Sequence, residues 1–208
     1  MSLKIVQPGI LSLLQDGGRT GQHRIGLTNG GPLDPEAFGY CNRLLQNPAG
    51  STAIEISFGG LQLEARTDTF ICLTGAAMPL RINNQEQRLW EVLPVKAGDT
   101  ISVEFAEKGC RAYLGVAGGF HIAPSFGSTA TVMREKIGGL RGDKLHAGDE
   151  LPCAEVSERK HLYLKEDHRP RYQNEVTVRV IPGYQQKHFS RFQQRRFFSH
   201  ALKVSDRC

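Results

Sequence analysis

The residues with the most chemical potential stand in the first third of the chain. Gln15-Asp16-Gly17-Gly18-Arg19-Thr20-Gly21 is followed by Gly26, by Gly30-Gly31-Pro32-Leu33-Asp34, and by Cys41-Asn42-Arg43-Leu44-Leu45-Gln46-Asn47. Gly17 and Gly18 tolerate positive φ, so a tight turn there can project the Asp16 carboxylate and the Arg19 guanidinium at defined angles. A guanidinium presents a planar fork of donors suited to a carboxylate or a phosphoryl oxygen. Asp16 would orient that fork or a metal-bound phosphate, and Gln15 and Asn42 supply amides for hydrogen bonding a small polar substrate. The same Asp-Gly-Gly-Arg is also explained by a β-turn in which Asp16 caps local amides and Arg19 is a solvated counter-charge. Both readings stay open at this level.

Further candidates carry similar ambiguity. Glu55 sits in an otherwise apolar stretch, so its carboxylate either faces solvent or pairs with a cation such as Arg19 or Arg43. Gly138 and Gly139, in Gly138-Gly139-Leu140-Arg141-Gly142-Asp143-Lys144, expose amides that could cradle a phosphate, but the Gly-Lys-Ser/Thr ending of a phosphate loop is missing and a surface loop explains them too. Gly118-Gly119-Phe120-His121 is either a donor-bearing loop or a bend at a barrel corner. The seven histidines show no metal-ligand spacing, and no nucleophile triad or dinucleotide fingerprint occurs. No metal site is expected.

The elements that must position these residues read mostly as strands. Stretches 54–58, 61–65, 69–73, 80–83, 100–105 and 111–116 are short, largely alternating and separated by turn residues, which predicts an antiparallel barrel or sandwich. Asn83-Asn84 reads as a hairpin tip, and Lys96-Ala97-Gly98-Asp99 as a turn leading into a strand. One helix is predicted over 34–45, with Asp34 as N-cap, Pro35 at the first position, Glu36 favourable to the dipole, and Ala37, Phe38, Cys41, Leu44 and Leu45 as the buried stripe. A cap explains Asp34 without any chemistry. Asn42 lies on another face, where a buried amide needs partners.

Residues 1–158 carry 14 Lys/Arg against 17 Asp/Glu, net −3, whereas residues 159–208 carry 12 against 4, net +8. The basic end interleaves cations with aromatics in Arg191-Phe192-Gln193-Gln194-Arg195-Arg196-Phe197-Phe198. That pattern is open to a nucleic-acid reading, but an amphipathic helix packing its phenylalanines on a barrel accounts for it better, so neither nucleic acid nor membrane is expected as a partner. The polar, proline-bearing residues 155–174 read as a linker between a β-rich domain at 1–154 and the start of a second β-rich unit at 175–208, opened by a strand over 176–181. Five cysteines without a close pair argue against a disulfide framework, with Cys72 and Cys110 read as small core residues. The lack of a long apolar run or a signal-like start predicts a soluble, cytoplasmic protein.

Taken with Ala53-Ile54-Glu55-Ile56, Leu73-Thr74-Gly75-Ala76, Tyr113-Leu114-Gly115-Val116-Ala117-Gly118-Gly119-Phe120 and Ile137-Gly138-Gly139-Leu140, the ordered motifs resemble one family from Lys4 to about Arg207. It is the family of the C-type 5-oxoprolinase subunit, also described as allophanate hydrolase second subunits and biotin-dependent carboxyltransferase-like proteins, and including the Kip-type antagonist of a sporulation-kinase inhibitor. The resemblance implies a cyclophilin-like antiparallel β-barrel with one or two short helices. Family members continue well past the final Val204-Ser205-Asp206-Arg207-Cys208, so the resemblance reads this chain as truncated and inactive by itself.

The same resemblance implies a subunit that, with A-type and B-type partner subunits and with ATP and Mg in the assembled complex, opens 5-oxoproline to glutamate. On that reading Asp16 and Arg19 are catalytic, Gln15, Arg19, Asn42 and Glu55 bind the lactam, and Gly138 and Gly139 lie near the nucleotide. Two alternatives accompany it: a binding module that antagonises a B-type kinase inhibitor, and a biotin-dependent carboxyltransferase-like domain, disfavoured because no Met-Lys-Met carrier segment occurs. An unfinished second unit also predicts self-association.

Overall fold

The computed structural model describes residues 1–173 and 175–203. The chain divides into two compact units, Met1–Asn174 and Glu175–Cys208. The first is mainly antiparallel β. Its strands are β1 (Ser2–Pro8), β2 (Leu11–Gln15), β3 (Ala53–Ser57), β4 (Leu61–Ala65), β5 (Thr69–Ala77), β6 (Leu80–Ile82), β7 (Gln85–Gln87), β8 (Leu93–Val95), β9 (Thr100–Val103), β10 (Lys108–Val116) and β11 (Glu150–Pro152), and one helix, α1 (Pro35–Leu44), lies between β2 and β3.

The strands form a six-stranded sheet in the order β11-β1-β4-β9-β6-β7 and a five-stranded sheet in the order β2-β3-β10-β5-β8. Inward residues from both sheets meet in one apolar core, with Leu3, Ile5, Leu61, Leu63 and Ile101 from the first and Ile54, Ile56, Leu73, Leu114 and Val116 from the second. The alternation that predicts the strands is the alternation that buries them, because successive side chains leave opposite faces of a strand.

Consecutive strands often change sheets, and the corners are built close. β1 passes to β2 through Gly9, β3 to β4 through Gly59 and Gly60, and β9 to β10 through 104–107. Gly59 has φ of +100°, and a Cβ there would collide with the backbone of Glu104. Only glycine permits this contact. The Asn83-Asn84 tip joins β6 to β7 with both residues at positive φ, as a two-residue hairpin of this kind requires.

α1 starts where its cap signals lie. The Asp34 side chain accepts the Ala37 amide and Pro35 stands in the first turn. The stripe of Ala37, Phe38, Cys41 and Leu44, continued by Leu45, packs on the outer face of the five-stranded sheet with Ala53, Cys72 and Tyr113. A Cβ at Gly115 would come within 2.7 Å of Cys41 Sγ and 2.8 Å of a Leu45 methyl, so the helix seats on β10 where that strand has no side chain. Cys72 is buried with Cys41, whose thiol donates to the Cys72 carbonyl at 3.4 Å. Cys110, expected in the core, is exposed near the start of β10.

Residues 155–174, expected as a linker, belong to the first unit. The Val156 amide donates to Asp68 O, Val92 N to Leu162 O, and Leu164 N to Trp90 O. Tyr163 bridges Glu91, and the Tyr172 hydroxyl donates to Asp34 Oδ2 at 2.6 Å. These backbone pairings cover the edge near β8, which explains why polar sequence is ordered here.

The second unit holds a short 3-10 turn at Tyr184–His188 and the helix α2 (Arg191–Ser199), started by a capping box of Ser190 and Gln193. The strand expected over 176–181 does not form among the described residues. A strand needs a partner to satisfy its alternate amides, and alternation alone provides none. The phenylalanines of α2, expected to be packed, are exposed: Phe192 at 74% and Phe197 at 56%. The final motif over 204–208 lies outside the described residues.

Candidate functional site

Strand β2, which the alternation over 11–15 did not single out, delivers Gln15, Asp16 and Arg19 to the end of the five-stranded sheet. Gln15 is buried and uses both ends of its amide: Nε2 donates to Thr131 O at 3.2 Å and Oε1 accepts from Gly31 N at 3.1 Å. Asp16 Oδ1 accepts from Gly18 N at 2.8 Å and from the Ser128 hydroxyl at 2.6 Å, while Oδ2 accepts from Thr129 N at 2.7 Å. The carboxylate therefore both closes its own turn and ties it to the 128–131 segment.

Arg19 is 1% exposed. Its Nη2 donates to Ala130 O at 2.7 Å and its Nη1 to Thr28 O at 3.3 Å, while the buried Nε has no partner. Among the described residues no carboxylate lies within salt-bridge distance of it. The surface counter-charge reading thus falls: Arg19 is an enclosed cation spanning two backbone loops, and carbonyl oxygens supply its electrostatic compensation.

Gly138 and Gly139 pack against this node. Both have positive φ; a Cβ at Gly138 would collide with Ala130 O and lie 3.1 Å from Arg19 Nη2, and one at Gly139 would lie 2.5 Å from Thr131 Oγ1. The Gly139 amide already donates to Thr129 O at 2.8 Å. Close backbone approach accounts for the pair.

The loop after Arg19 then crosses the outer face of the sheet, held by one side chain from each of three neighbouring strands. Gly31 N meets Gln15 of β2, Leu33 N donates to Glu55 Oε2 of β3 at 2.8 Å, and Asp34 N donates to the Tyr113 hydroxyl of β10 at 2.7 Å. Tyr113 in turn donates to Glu55 Oε2 at 2.7 Å. Burial pushes the Tyr113 hydroxyl well above its ordinary value, the Asp34 amide opposes that rise, and the Glu55 carboxylate adds to it. Burial, and then the Asp34 carboxylate, raise Tyr172 in the same way.

Glu55 is buried, so the solvent-facing alternative falls, and its nearest cation is neither Arg19 nor Arg43. Arg111 Nε lies 4.0 Å from Glu55 Oε1. The correction follows from register: Arg111 stands on β10 opposite Ser57, next to the Tyr113–Glu55 pair, whereas Arg19 has left the sheet and Arg43 lies over the Tyr40 ring. Sequence reasoning missed Arg111, because only strand pairing brings it to Glu55. Asn42 is buried apart from this row. Its Nδ2 donates to Ser51 O at 3.0 Å and its Oδ1 accepts from Asn47, whose own side chain binds Val116 O and Gly118 N. Asn42 and Asn47 thus fasten the end of α1 to the exit of β10.

Among the described residues no group of three His, Cys, Asp or Glu side chains is placed to hold a metal ion, and no helix is long and apolar enough to cross a membrane. The candidate site is the outer face of β2, β3 and β10, bounded by the 28–34 loop and backed by the Asp16–Arg19 node.

Over 203 residues the chain is 34% identical to the C-type 5-oxoprolinase subunit of Escherichia coli, covering 98% of this chain and 64% of that protein. Over 162 residues it is 34% identical to urea amidolyase of Saccharomyces cerevisiae, covering 77% of this chain and 9% of that protein. Among solved structures, TTHA0988 superposes with a TM-score of 0.77 at 29% identity, covering 89% of this chain and 68% of that one. The urea amidolyase of K. lactis gives 0.71 at 36% identity over 72% of this chain and 9% of that one. The chain thus spans just under two thirds of the length of its bacterial relative. Residues 25–208 match the family described as carboxyltransferase domain, subdomain A and B, and the chain belongs to that family.

Proposed function

We propose that the chain serves as the carboxyltransferase-type component of an ATP-dependent 5-oxoprolinase, acting with A-type and B-type partner subunits to convert 5-oxoproline to glutamate. The observation that carries this reading is the alignment with the C-type 5-oxoprolinase subunit along 98% of the chain. An unstrained lactam resists hydrolysis, and phosphorylation of its amide oxygen by ATP with Mg, supplied in the assembled complex, would provide a leaving group. The residues first expected near nucleotide do not fit that group: the Gly139 amide is taken by Thr129 O, and Arg19 is enclosed by Ala130 and Thr28 carbonyls. Nucleotide and Mg are therefore assigned to the partner subunits.

On this chain, Asp16, Arg19 and Gln15 act as positioning residues. They fix the 128–131 segment and the 28–31 loop, and through that loop they set Leu33 against Glu55. Asn42 does the same for the end of α1. Glu55 is the polar side chain of the set left with an unfilled acceptor, and it is the one assigned to substrate.

The test is reconstitution with co-expressed A-type and B-type subunits, measuring ATP-dependent glutamate release from 5-oxoproline. Activity that requires this chain is the expected result. Equal activity without it would sink the proposal. A second reading, carboxyl transfer to urea, draws on the similarity to urea amidolyase. Biotin- and bicarbonate-dependent carboxylation of urea by the same assembly, without glutamate release, would favour it.

A further inference from the structure

We propose that Glu55 and Arg111 form a subsite for one edge of a cis amide, the side-by-side N–H and C=O that a lactam or urea presents. The choice of a lactam rests on the proposed function; the subsite itself rests on geometry. Both donors that reach Glu55, Leu33 N and the Tyr113 hydroxyl, converge on Oε2. Oε1 accepts no hydrogen bond among the described residues, although Glu55 is only 6% exposed. Facing it at 4.0 Å is Arg111 Nε, beyond hydrogen-bond reach, and that nitrogen is buried without a partner.

An enclosed donor thus faces a carboxylate oxygen at ion-pair distance with no hydrogen bond between them, an arrangement that a bridging group can complete. The guanidinium is also fixed in place. Its Nη1 donates to Cys110 O at 3.1 Å, and its carbon lies 5.6 Å from the centre of the Phe58 ring, which holds the plane by a cation–π contact. The Arg111 side chain keeps 23% of its surface open, so the pair sits at the surface of the sheet and not in the core.

The chemistry of the pair selects its ligand. A ligand N–H donates to Glu55 Oε1 while the neighbouring C=O accepts from Arg111 Nε, which requires both groups on one side of the amide plane. Lactams and ureas meet that requirement. A trans peptide bond points the two groups in opposite directions and does not. Phe58, 49% exposed, and Leu33, 66% exposed and bonded through its amide to the same carboxylate, offer apolar surface for ring methylenes.

The test is NMR titration of the 208-residue chain with 2-pyrrolidinone and, separately, with N-methyl-2-pyrrolidinone, which keeps the ring and carbonyl but lacks the N–H. Saturable shifts of the Arg111 Nε–H signal and the Leu33 amide with the first compound, and at least about tenfold weaker binding of the second, are expected from loss of one hydrogen bond to a charged group. Glu55→Gln keeps an acceptor for Leu33 and Tyr113 and should weaken the lactam by a similar factor. Equal binding of the two compounds, or an Arg111 signal unmoved by 2-pyrrolidinone because water alone bridges the gap, would overturn the subsite whatever the variant does. If the assembled complex releases glutamate yet the lactam leaves Arg111 unmoved, the subsite falls and the proposed function stands. If the lactam binds the pair but no assembly releases glutamate, the reverse holds.

Discussion

Tyr113 hydrogen-bonds Glu55 across two adjacent strands at 2.7 Å, and the same hydroxyl receives the amide of Asp34, the cap of α1. One phenol therefore couples the carboxylate of the candidate site to the start of the helix that covers the sheet. Thr74, opposite Tyr113 on β5, extends the row by donating to Ala37 O at 2.8 Å. The helix and its entry loop are thus anchored by polar side chains of the face they cover, and disturbing the row should be felt at both.

Tyr113→Phe removes the hydroxyl and leaves the half-buried Asp34 amide unmet. We expect a loss of about 1–3 kcal/mol, the usual cost of stranding a buried polar group. Urea denaturation measures it, and an unchanged midpoint would show that the hydroxyl does not couple helix to sheet.

Arg19→Lys should destabilise the protein, because one ammonium cannot span Thr28 O and Ala130 O as the guanidinium fork does. The expected cost is about 1.5–3 kcal/mol, the range for hydrogen bonds to charged groups. A lysine variant with wild-type stability but impaired catalysis in the reconstituted complex would return Arg19 to direct substrate contact.

Gly138→Ala and Gly148→Ala form a matched pair. Both positions have positive φ, but a Cβ at Gly148 meets nothing within 4 Å whereas one at Gly138 collides with Ala130 O. Backbone strain alone costs about 1–2 kcal/mol, and the collision adds about 1–3 more at Gly138. Equal melting temperatures for the two variants would mean that the 138–139 loop does not pack on the Arg19 node.

Glu135 links the 132–137 turn to the loop that follows Arg19, accepting from the Thr28 hydroxyl and amide and from Arg134. The Thr28 hydroxyl, then Arg134 and the Thr28 amide, hold its carboxyl down to about 2, below the ordinary 4.5. A carboxyl depressed on folding stabilises the native state above its unfolded value and loses that contribution as pH falls through the folded value. Protection of the Thr28 amide from hydrogen exchange should therefore weaken between pH 4.5 and about 2, and Glu135→Gln should flatten that dependence. A Glu135 carboxyl that titrates at its ordinary value by NMR would refute the link.

Much of this protein is determined by local sequence. Alternation over 61–65 gave the bounds of β4, and Asp34-Pro35 fixed the start of α1 because capping and ring geometry act within one turn. The glycine-separated clusters come together in the fold: Gln15, Asp16, Arg19, Gly138 and Gly139 meet at one node around 128–131. What each residue does there was settled only by its distant neighbours. Arg19 reads from sequence as a donor aimed at a ligand, yet the Ala130 carbonyl it binds lies 111 residues away, and spacing cannot supply that partner. Arg111 drew no notice in a strand of alternating residues until register set it two pairs from Glu55, on the same face of the sheet. The converse failure is 176–181, where alternation alone predicted a strand that the described structure does not form. Propensity and capping are local energies that a sequence displays directly, whereas the compensation of a buried charge and the pairing of a strand are decided by whatever the fold brings alongside.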